Sequence, residues 1–292
     1  SGIDEFAMKG QFVGAMNYRT IWEVWNYNKL NYGDRYASGF LFWYHNSAVR
    51  QVCGRMWDWS LEPTAALYTA ANACEPLHPQ FDYLKNTVSV VNDYYRSFAG
   101  YKVTAEVWDI NSRKVWSKEA VVDIPEDGVV NDVFAIDFPA GISPVHFIKL
   151  RLLDAQGRQK GSSFYWRSDN AYEGKNTLTG PATAGFESLS ELAEAKVSMK
   201  YAARVEDGKH FIDIELKNSR KAIAFFTQLQ WLDASGKPVR PSFYTDNFIN
   251  MMPGEVRRIT IETSQENLPA GDYSLVLKGF NVNKVSRIIP VK

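Results

Sequence analysis

The sequence is poor in cysteine, with only Cys53 and Cys74 in 292 residues. A chain of this length can bury a core without a disulfide, so the sequence favours two free and mostly buried thiols. A bridge between them stays open, because a single pair of cysteines carries no spacing pattern that would assign it.

An excess of charge is also missing, since 33 basic residues balance 33 acidic ones. Without a basic surface or run, the chain is not expected to bind nucleic acid or an anionic membrane. No apolar stretch approaches the roughly 20 residues that a membrane helix needs. Asp4, Glu5 and Lys9 interrupt the first residues, so no signal peptide is expected there.

The sequence offers no constellation of residues typical of a metal site or of catalysis. Its four histidines (His45, His78, His146 and His210) are scattered and lack metal-ligand spacing. We therefore expect no metal and no cofactor. We also find no paired acids and no Ser-His-Asp or Cys-His arrangement, so the chain by itself is not expected to be a complete enzyme.

Aromatic residues are abundant, at 14% of the chain. Such rings fill the cores of β-sandwiches, and they also stack on the faces of pyranose sugars. Composition alone does not distinguish these two uses.

The first eighty residues have an α/β pattern. Apolar residues recur at helical spacing over residues 6–30, with one predicted face formed by Val13, Met16, Ile21, Val24 and Trp25. The apolar run at residues 40–44 predicts a parallel strand buried on both faces. Residues 63–74 are rich in alanine and predict a second helix, with Pro63 in its first turn. Because one strand cannot form a sheet, this segment should belong to something larger or else pack as an isolated layer.

After Pro79 the pattern changes to short alternating segments separated by turns, as over residues 211–217. Three segments end in an apolar pair and an aspartate, Asp109, Asp154 and Asp233, followed by small residues and a cation. This spacing predicts antiparallel sandwiches of the immunoglobulin type. Residues 169–185 lose the periodicity and predict a linker between one sandwich at 79–168 and another at 186–292.

Several motifs resemble those of glycoside hydrolase family 2, in the branches of exo-β-D-glucosaminidase, mannosylglycoprotein endo-β-mannosidase and β-mannosidase. The segment GFLFWYHNS is similar to the last strand of the family's catalytic barrel. The other similar segments lie, in the order of the family, at residues 58–68, 73–78, 90–92, 244–247 and 252–255. None is specific alone, but together they cover nearly the whole chain.

The resemblance implies a mainly β fold in which residues 1–78 are the last helix-strand-helix piece of a (β/α)8 TIM barrel and two immunoglobulin-like sandwiches follow. It implies a retaining glycosidase that hydrolyses terminal β-glycosidic bonds, above all an exo-β-D-glucosaminidase. The family's two catalytic glutamates lie on earlier barrel strands, so this chain should be inactive by itself. Glu5 faintly resembles a nucleophile motif, but an acid at this place favours the start of a helix.

The resemblance also suggests residues that contact sugar. Trp43, at the end of the barrel strand, matches an aromatic floor under the terminal sugar, although a core tryptophan is an equal alternative. Asn46 would orient a hydroxyl group or a carboxylate, or else close the strand. The loop with Trp57, Asp58 and Trp59 would rim the pocket, or more ordinarily pack the barrel against the next domain.

In the last sandwich, Asp246 and Asn247 form a loop that would return to the active-site mouth, and the simpler reading of them is an Asx turn. The expected partner is a carbohydrate substrate, an amino-sugar or mannosyl glycan bound through the intact parent protein. Self-association through the exposed barrel face is a further possibility. A stand-alone carbohydrate-binding sandwich protein is the alternative from another class. The sugar and the compartment are undetermined, and a secreted or periplasmic parent fits the family.

Overall fold

The computed structural model describes residues 2–29, 39–43, 45–49, 55–168, 185–219 and 221–291. The chain divides into two compact units, residues 1–191 and residues 192–292. Cys74 is a free thiol, as expected, but it is exposed, whereas the sequence predicted a buried one. Cys53 and nearly all of the predicted linker lie outside the described residues. No helix in the described part of the chain has the length and apolar character required to cross a membrane.

Helix α1 spans Ile3–Tyr27 and confirms the helical periodicity. The predicted apolar face is wrong in part, because Ile21 and Val24 are 45% and 55% exposed while Arg19 and Glu23 are buried. The reason is tertiary. The neighbouring sandwich presents hydrogen-bonding groups to this helix, so polar side chains face inward and an apolar stripe is left outside.

Helix α2 spans Ala65–Ala73, two residues after the predicted start. Thr64 is the N-cap residue and has extended backbone angles, which explains why the helix does not begin at Pro63. The Thr64 hydroxyl donates to the carbonyl groups of Arg55 and Met56, so it does not cap the helix itself. Instead, the backbone N–H of Ala65 donates to Oε1 of Gln11 on α1, at 2.8 Å. The two helices are thus joined at the start of α2.

The buried parallel strand predicted at residues 40–44 is not formed in the described residues 39–43. Leu41 is 99% exposed and Trp43 is 80% exposed. Phe40 and Phe42 instead pack on α1, where the two rings lie 4.1 and 5.7 Å from the ring of Trp22. A parallel strand needs neighbouring strands on its edges to be buried on both faces, and the described part of this unit supplies none there.

The described residues of the first unit contain seven strands, which form two antiparallel sheets. Their order is β1-β2-β5 in one sheet and β4-β3-β6-β7 in the other. The strands are β1 (Leu77–Asp82), β2 (Thr87–Asn92), β3 (Phe98–Asp109), β4 (Lys114–Ile124), β5 (Gly128–Ala135), β6 (Val145–Leu153) and β7 (Gln159–Ser168). Side chains from both sheets form one core, which includes Phe81, Val90, Val107, Leu150 and Tyr165.

The second unit holds eight strands in two more antiparallel sheets, ordered β12-β10-β14-β15 and β11-β13-β9-β8. The strands are β8 (Val197–Glu206), β9 (Lys209–Asn218), β10 (Ala224–Leu232), β11 (Phe243–Tyr244), β12 (Ile249–Met251), β13 (Val256–Ser264), β14 (Gly271–Lys278) and β15 (Val285–Val291). Ile212, Ile214 and Leu216 point into the core, as their alternation predicted. The predicted mainly β fold with two immunoglobulin-like sandwiches is confirmed.

The three aspartate turns are formed as the sequence predicted. Asp109, Asp154 and Asp233 each accept, through Oδ1, the backbone N–H of the residue four positions later, at 2.8, 2.9 and 3.0 Å. In the same turns Gly157 and Gly236 take positive φ angles of 76° and 78°, which glycine adopts without steric cost. The aspartate side chain therefore replaces a partner that the turning backbone lacks.

A buried polar cluster joins α1 to the first sandwich. Oε1 of Glu23 accepts hydrogen bonds from the Tyr165 hydroxyl at 2.6 Å and pairs with Nε2 of His78 at 2.9 Å. Gln80 donates to the backbone carbonyl of Glu23, and the Arg19 guanidinium lies 4.8 Å from the centre of the Tyr165 ring. Burial, and then the Glu23 carboxylate, raises the pKa of Tyr165 well above its ordinary value. Tyr165 therefore stays a neutral donor.

Candidate functional site

The candidate site lies in the first unit, on two segments that flank the undescribed residues 50–54. Residues 39–49 carry Trp43 and Asn46, and residues 55–63 carry Trp57 and Asp58. Both segments rest on a small apolar cluster with α1 and α2, which includes Tyr18, Met56 and Ala66. The cluster also takes in Phe42, beside Trp43, and Trp57 itself.

Trp43 and Asn46 are both exposed, and Trp43 exposes 80% of its surface. The alternative of a core tryptophan is therefore not what this chain adopts at Trp43. Asn46 forms an isolated parallel bridge with Trp57. The backbone N–H of Trp57 donates a hydrogen bond to the backbone carbonyl of His45 at 3.4 Å. This contact ties the two segments together next to the exposed edge.

Trp57 is partly buried and takes a packing position in the site. Its ring centre lies 4.3 Å from that of His45, with the ring planes tilted by 33°. A second bridge joins Trp57 to Pro63. The exposed surface at this edge therefore belongs more to His45 and Asn46 than to Trp57.

The Asp58 side chain stabilises the loop at residues 58–62. Its Oδ1 accepts hydrogen bonds from the backbone N–H of Ser60 at 2.7 Å and of Glu62 at 2.9 Å, and from the Ser60 hydroxyl at 2.7 Å. The loop is tight, and Leu61 takes a φ of 63°, a conformation that costs energy for a branched side chain. The carboxylate thus orders the loop from inside.

Trp59 is the more exposed of the two tryptophans in the predicted pocket rim. It stands in the middle of the Asp58 loop and is 45% exposed, whereas Trp57 is partly buried. Spacing alone cannot tell which of two tryptophans separated by one residue faces outward. The loop closed by Asp58 makes that choice.

Asp246 and Asn247 lie in the second unit, in the loop between β11 and β12. Oδ2 of Asp246 accepts a hydrogen bond from Arg257 at 2.7 Å. Asn247 is 6% exposed, and its amide exchanges two hydrogen bonds with the backbone of Leu229, at 2.8 and 3.0 Å. Asn247 thus fastens its loop to β10, and a role of either residue in sugar binding stays a prediction.

Glu5 lies in the first turns of α1 and forms a surface ion pair with Lys9 at 2.6 Å. The Lys9 ammonium, as hydrogen-bond donor and as charge, lowers the pKa of the Glu5 carboxyl. This is the geometry of a helical i,i+4 pair and gives Glu5 a structural role. Within the described residues no group of three or more His, Cys, Asp or Glu side chains is placed to hold a metal ion.

Two family matches cover most of both sandwiches. Residues 85–170 match the Mannosidase Ig/CBM-like domain. Residues 176–282 match the Exo-beta-D-glucosaminidase Ig-fold domain. The order of these two matches along the chain is the order that the motifs predicted.

Longer matches extend over the helical region as well. An exo-β-D-glucosaminidase of Amycolatopsis orientalis is 24% identical, over 96% of this chain and 28% of the relative. A mannosylglycoprotein endo-β-mannosidase of Lilium longiflorum is 23% identical, over 97% of this chain and 34% of the relative. The chain therefore spans about a third of the length of these relatives.

Among solved structures, the exo-chitosanase CsxA of Amycolatopsis orientalis superposes with a TM-score of 0.87 at 23% identity. The match covers 100% of this chain and 35% of that one. At this level of identity, the superposition establishes a shared fold. It includes the helical region as well as both sandwiches.

Proposed function

We propose that the chain is the C-terminal part of a retaining exo-β-D-glucosaminidase of glycoside hydrolase family 2. The matches of its two sandwiches to the Mannosidase Ig/CBM-like domain and to the Exo-beta-D-glucosaminidase Ig-fold domain support this proposal. The whole enzyme would hydrolyse terminal β-glycosidic bonds of amino-sugar chains. This chain would supply the last strand and helices of the catalytic barrel together with two accessory sandwiches.

The observation that carries this proposal is the continuity of the helical region with the first sandwich. A pure binding module has no use for α1, α2 and an exposed aromatic segment packed on one side of a sandwich. A barrel enzyme does, because the ends of barrel strands form the mouth of its active site. The exposure of Trp43 and Asn46 supports their assignment to that mouth.

In this proposal Trp43 lies under the terminal sugar and Asn46 orients a hydroxyl group or a catalytic carboxylate. The catalytic acid and nucleophile come from elsewhere in the parent. The chemistry needs two carboxyl groups roughly 5 Å apart across the scissile bond. Residues 39–63 contain only Asp58 and Glu62 as acids, and Asp58 is engaged in building its loop.

A β-mannosidase or an endo-β-mannosidase is the second candidate. The match of residues 85–170 to the mannosidase domain and the similarity to the lily enzyme favour it. A non-catalytic carbohydrate-binding protein is the third, supported by the aromatic content alone.

The outer stripe of α1 has a place in the same proposal. Ile3, Phe6, Ile21 and Val24 are 84%, 59%, 45% and 55% exposed, and they recur along one side of the helix. In the parent the rest of the barrel would cover this stripe. In the isolated chain it would favour self-association, since exposed apolar surface of this kind seeks a partner.

The test is hydrolysis of aryl β-glycosides (glucosaminide, mannoside and galactoside) by this chain and by the intact gene product. We expect no turnover by the chain and turnover of the glucosaminide by the intact protein. Trp43→Ala in the intact protein should then lower turnover, while Leu84→Ala, at an equally exposed apolar residue of the first sandwich, should not. Preference for the mannoside would favour the second candidate, and turnover by this chain alone would overturn the proposal.

A further inference from the structure

One end of the first sandwich carries an exposed tyrosine surface, formed by Asp93, Tyr94, Tyr95, Glu126 and Asp127. Its first part is the loop between β2 and β3, and its second part is the turn between β4 and β5. The two parts are joined by a hydrogen bond from the Asp127 N–H to the Tyr94 carbonyl at 2.9 Å. They therefore form one surface rather than two separate loops.

This surface is ordered from below by Asn92, which is fully buried. The Asn92 amide donates to the carbonyl of Arg96 at 2.8 Å and to that of Pro125 at 2.7 Å. Its Oδ1 accepts the backbone N–H of Tyr94 at 2.9 Å. One side chain thus fixes the loop and the turn together, so a ligand would meet a surface that is already organised.

The aromatic rings of this surface differ in what covers them. Tyr95 is 87% exposed and Tyr94 is 41% exposed. The Arg96 guanidinium lies 5.3 Å from the Tyr94 ring and 4.9 Å from the Phe98 ring. Arg96 thereby supports Tyr94, and Tyr95 is left as the ring available for stacking.

The exposed charge of the surface is mainly acidic. Lys29 donates to both Asp93 and Asp127, at 2.7 and 2.6 Å, and its own side chain is only 21% exposed. The two carboxylates remain 43% and 48% exposed, and Glu126 is exposed as well. The carboxylates of Asp93, Glu126 and Asp127 outnumber the two cations, Lys29 and Arg96. The surface therefore has a net negative charge and favours a positively charged ligand.

We propose that the tyrosine surface binds chains of protonated amino sugars. A pyranose ring stacks on Tyr95, and the ammonium groups of the chain meet the tyrosine face and the carboxylates. A neutral sugar chain would still stack on Tyr95 but would lose the attraction between its ammonium groups and the carboxylates. The proposal rests on the proposed function for its choice of amino sugar, and its residues are all within this chain.

The test is titration of the full 292-residue chain with a glucosamine tetramer, at low salt and at a pH where the amino groups are protonated. Backbone NMR shifts would locate the site, and calorimetry would give the affinity. The control ligand is the N-acetylated tetramer, which keeps the same chain of pyranose rings but carries no charge. The control variant is Phe243→Ala, which removes another exposed ring.

We expect shifts in residues 93–97 and 125–128 and tighter binding of the charged tetramer. Tyr95→Ala should weaken binding about fivefold or more, and Glu126→Gln about twofold to fivefold. Phe243→Ala should leave it unchanged. Absence of binding, equal binding of the acetylated tetramer, or full affinity in Tyr95→Ala would each overturn the inference.

The hydrolysis assay separates this inference from the proposed function. Binding here without glucosaminide turnover by the intact protein would remove the proposed function and leave this site. Turnover by the intact protein without binding here would remove this site alone.

Discussion

The helical region and the two sandwiches bury their side chains in different ways. On β9 of the second sandwich buried and partly exposed side chains alternate, and Ile212, Ile214 and Leu216 are each at most 2% exposed. Helix α1 instead buries Arg19 and Glu23 and exposes Ile21 and Val24. Each sandwich thus buries its apolar side chains in its own core. Helix α1 instead buries the polar side that contacts the first sandwich and leaves apolar side chains exposed on the other side.

This difference shows that an apolar stripe does not always mark the inner face of a helix within a given chain. Under the proposed function, the stripe is the face that the rest of the barrel would cover. Here the sandwich accepts the polar side of α1 through Glu23, His78 and Tyr165. Removing contacts from the two regions should therefore have effects of different size.

The largest effect is expected in the apolar core of the second sandwich. Trp231 is 1% exposed, and Trp231→Ala should destabilise its unit by about 3–5 kcal/mol, because the lost contacts leave a cavity. Urea unfolding followed by circular dichroism measures this change. The matched control is Trp43→Ala, which should change the free energy of unfolding by less than about 0.5 kcal/mol, since Trp43 is exposed. Similar losses for both would contradict the exposure of Trp43.

The next effect concerns the polar cluster under α1. Glu23→Gln should destabilise the first unit by about 2 kcal/mol, because the Tyr165 hydroxyl and His78 lose a charged acceptor in a buried place. A double-mutant cycle with Tyr165→Phe, measured by urea unfolding, should show that the two losses are coupled. Glu5→Gln, at an exposed ion pair, is the control and should cost little. Additive losses in the cycle would contradict a direct bond between Glu23 and Tyr165.

A smaller effect is expected at the aspartate turns. Asp109→Ala removes the acceptor for the Arg113 N–H and should cost about 1–2 kcal/mol. Asp109→Asn keeps an oxygen in the same place and should cost less. Thermal unfolding of the two variants gives the order, and an equal loss in both would mean that charge rather than turn geometry matters at Asp109.

The smallest effect is a pH dependence at the end of α1. Burial opposes ionisation of Asp132, but hydrogen bonds from Thr87, Tyr27 and Lys85 lower the pKa of its carboxyl. Because the folded pKa lies below the unfolded one, this stabilisation is present above about pH 4 and is lost as the pH falls through the folded value. Asp132 is partly exposed, so the contribution should stay below about 1 kcal/mol.

The measurement compares urea unfolding of the wild type and of Asp132→Asn at pH 6 and at pH 3. The difference between the two proteins should be smaller at pH 3. A difference that grows in acid would contradict the direction of the shift.

The sandwiches were predictable because local patterns determine them. Alternation places β9 side chains in the core, and an aspartate before a glycine closes a turn whatever the rest of the chain does. The match of these patterns to a family also gave the order of the domains. Boundaries within residues 169–185 stay predictions.

The candidate site was predictable only in outline. The sequence indicated Trp43, Asn46 and the Trp57–Trp59 region, but it did not show that Trp57 packs on His45 or that Asp58 turns inward. It also predicted a strand at residues 40–44, which the described residues 39–43 do not form. Neighbouring strands decide whether such a run becomes a strand, and its own residues cannot supply them.

By itself, the sequence determined the positions of α1 and α2, the alternation of the strands, the three aspartate turns and the resemblance to a family. These features depend on residues close together in the chain, where periodicity and turn chemistry act directly. Only the tertiary structure decided which side of α1 is buried, because Glu23 meets Tyr165 across 142 residues. It also decided that one buried asparagine, Asn92, orders the tyrosine surface. Contacts of this kind depend on which groups the fold brings together, and no local pattern encodes them.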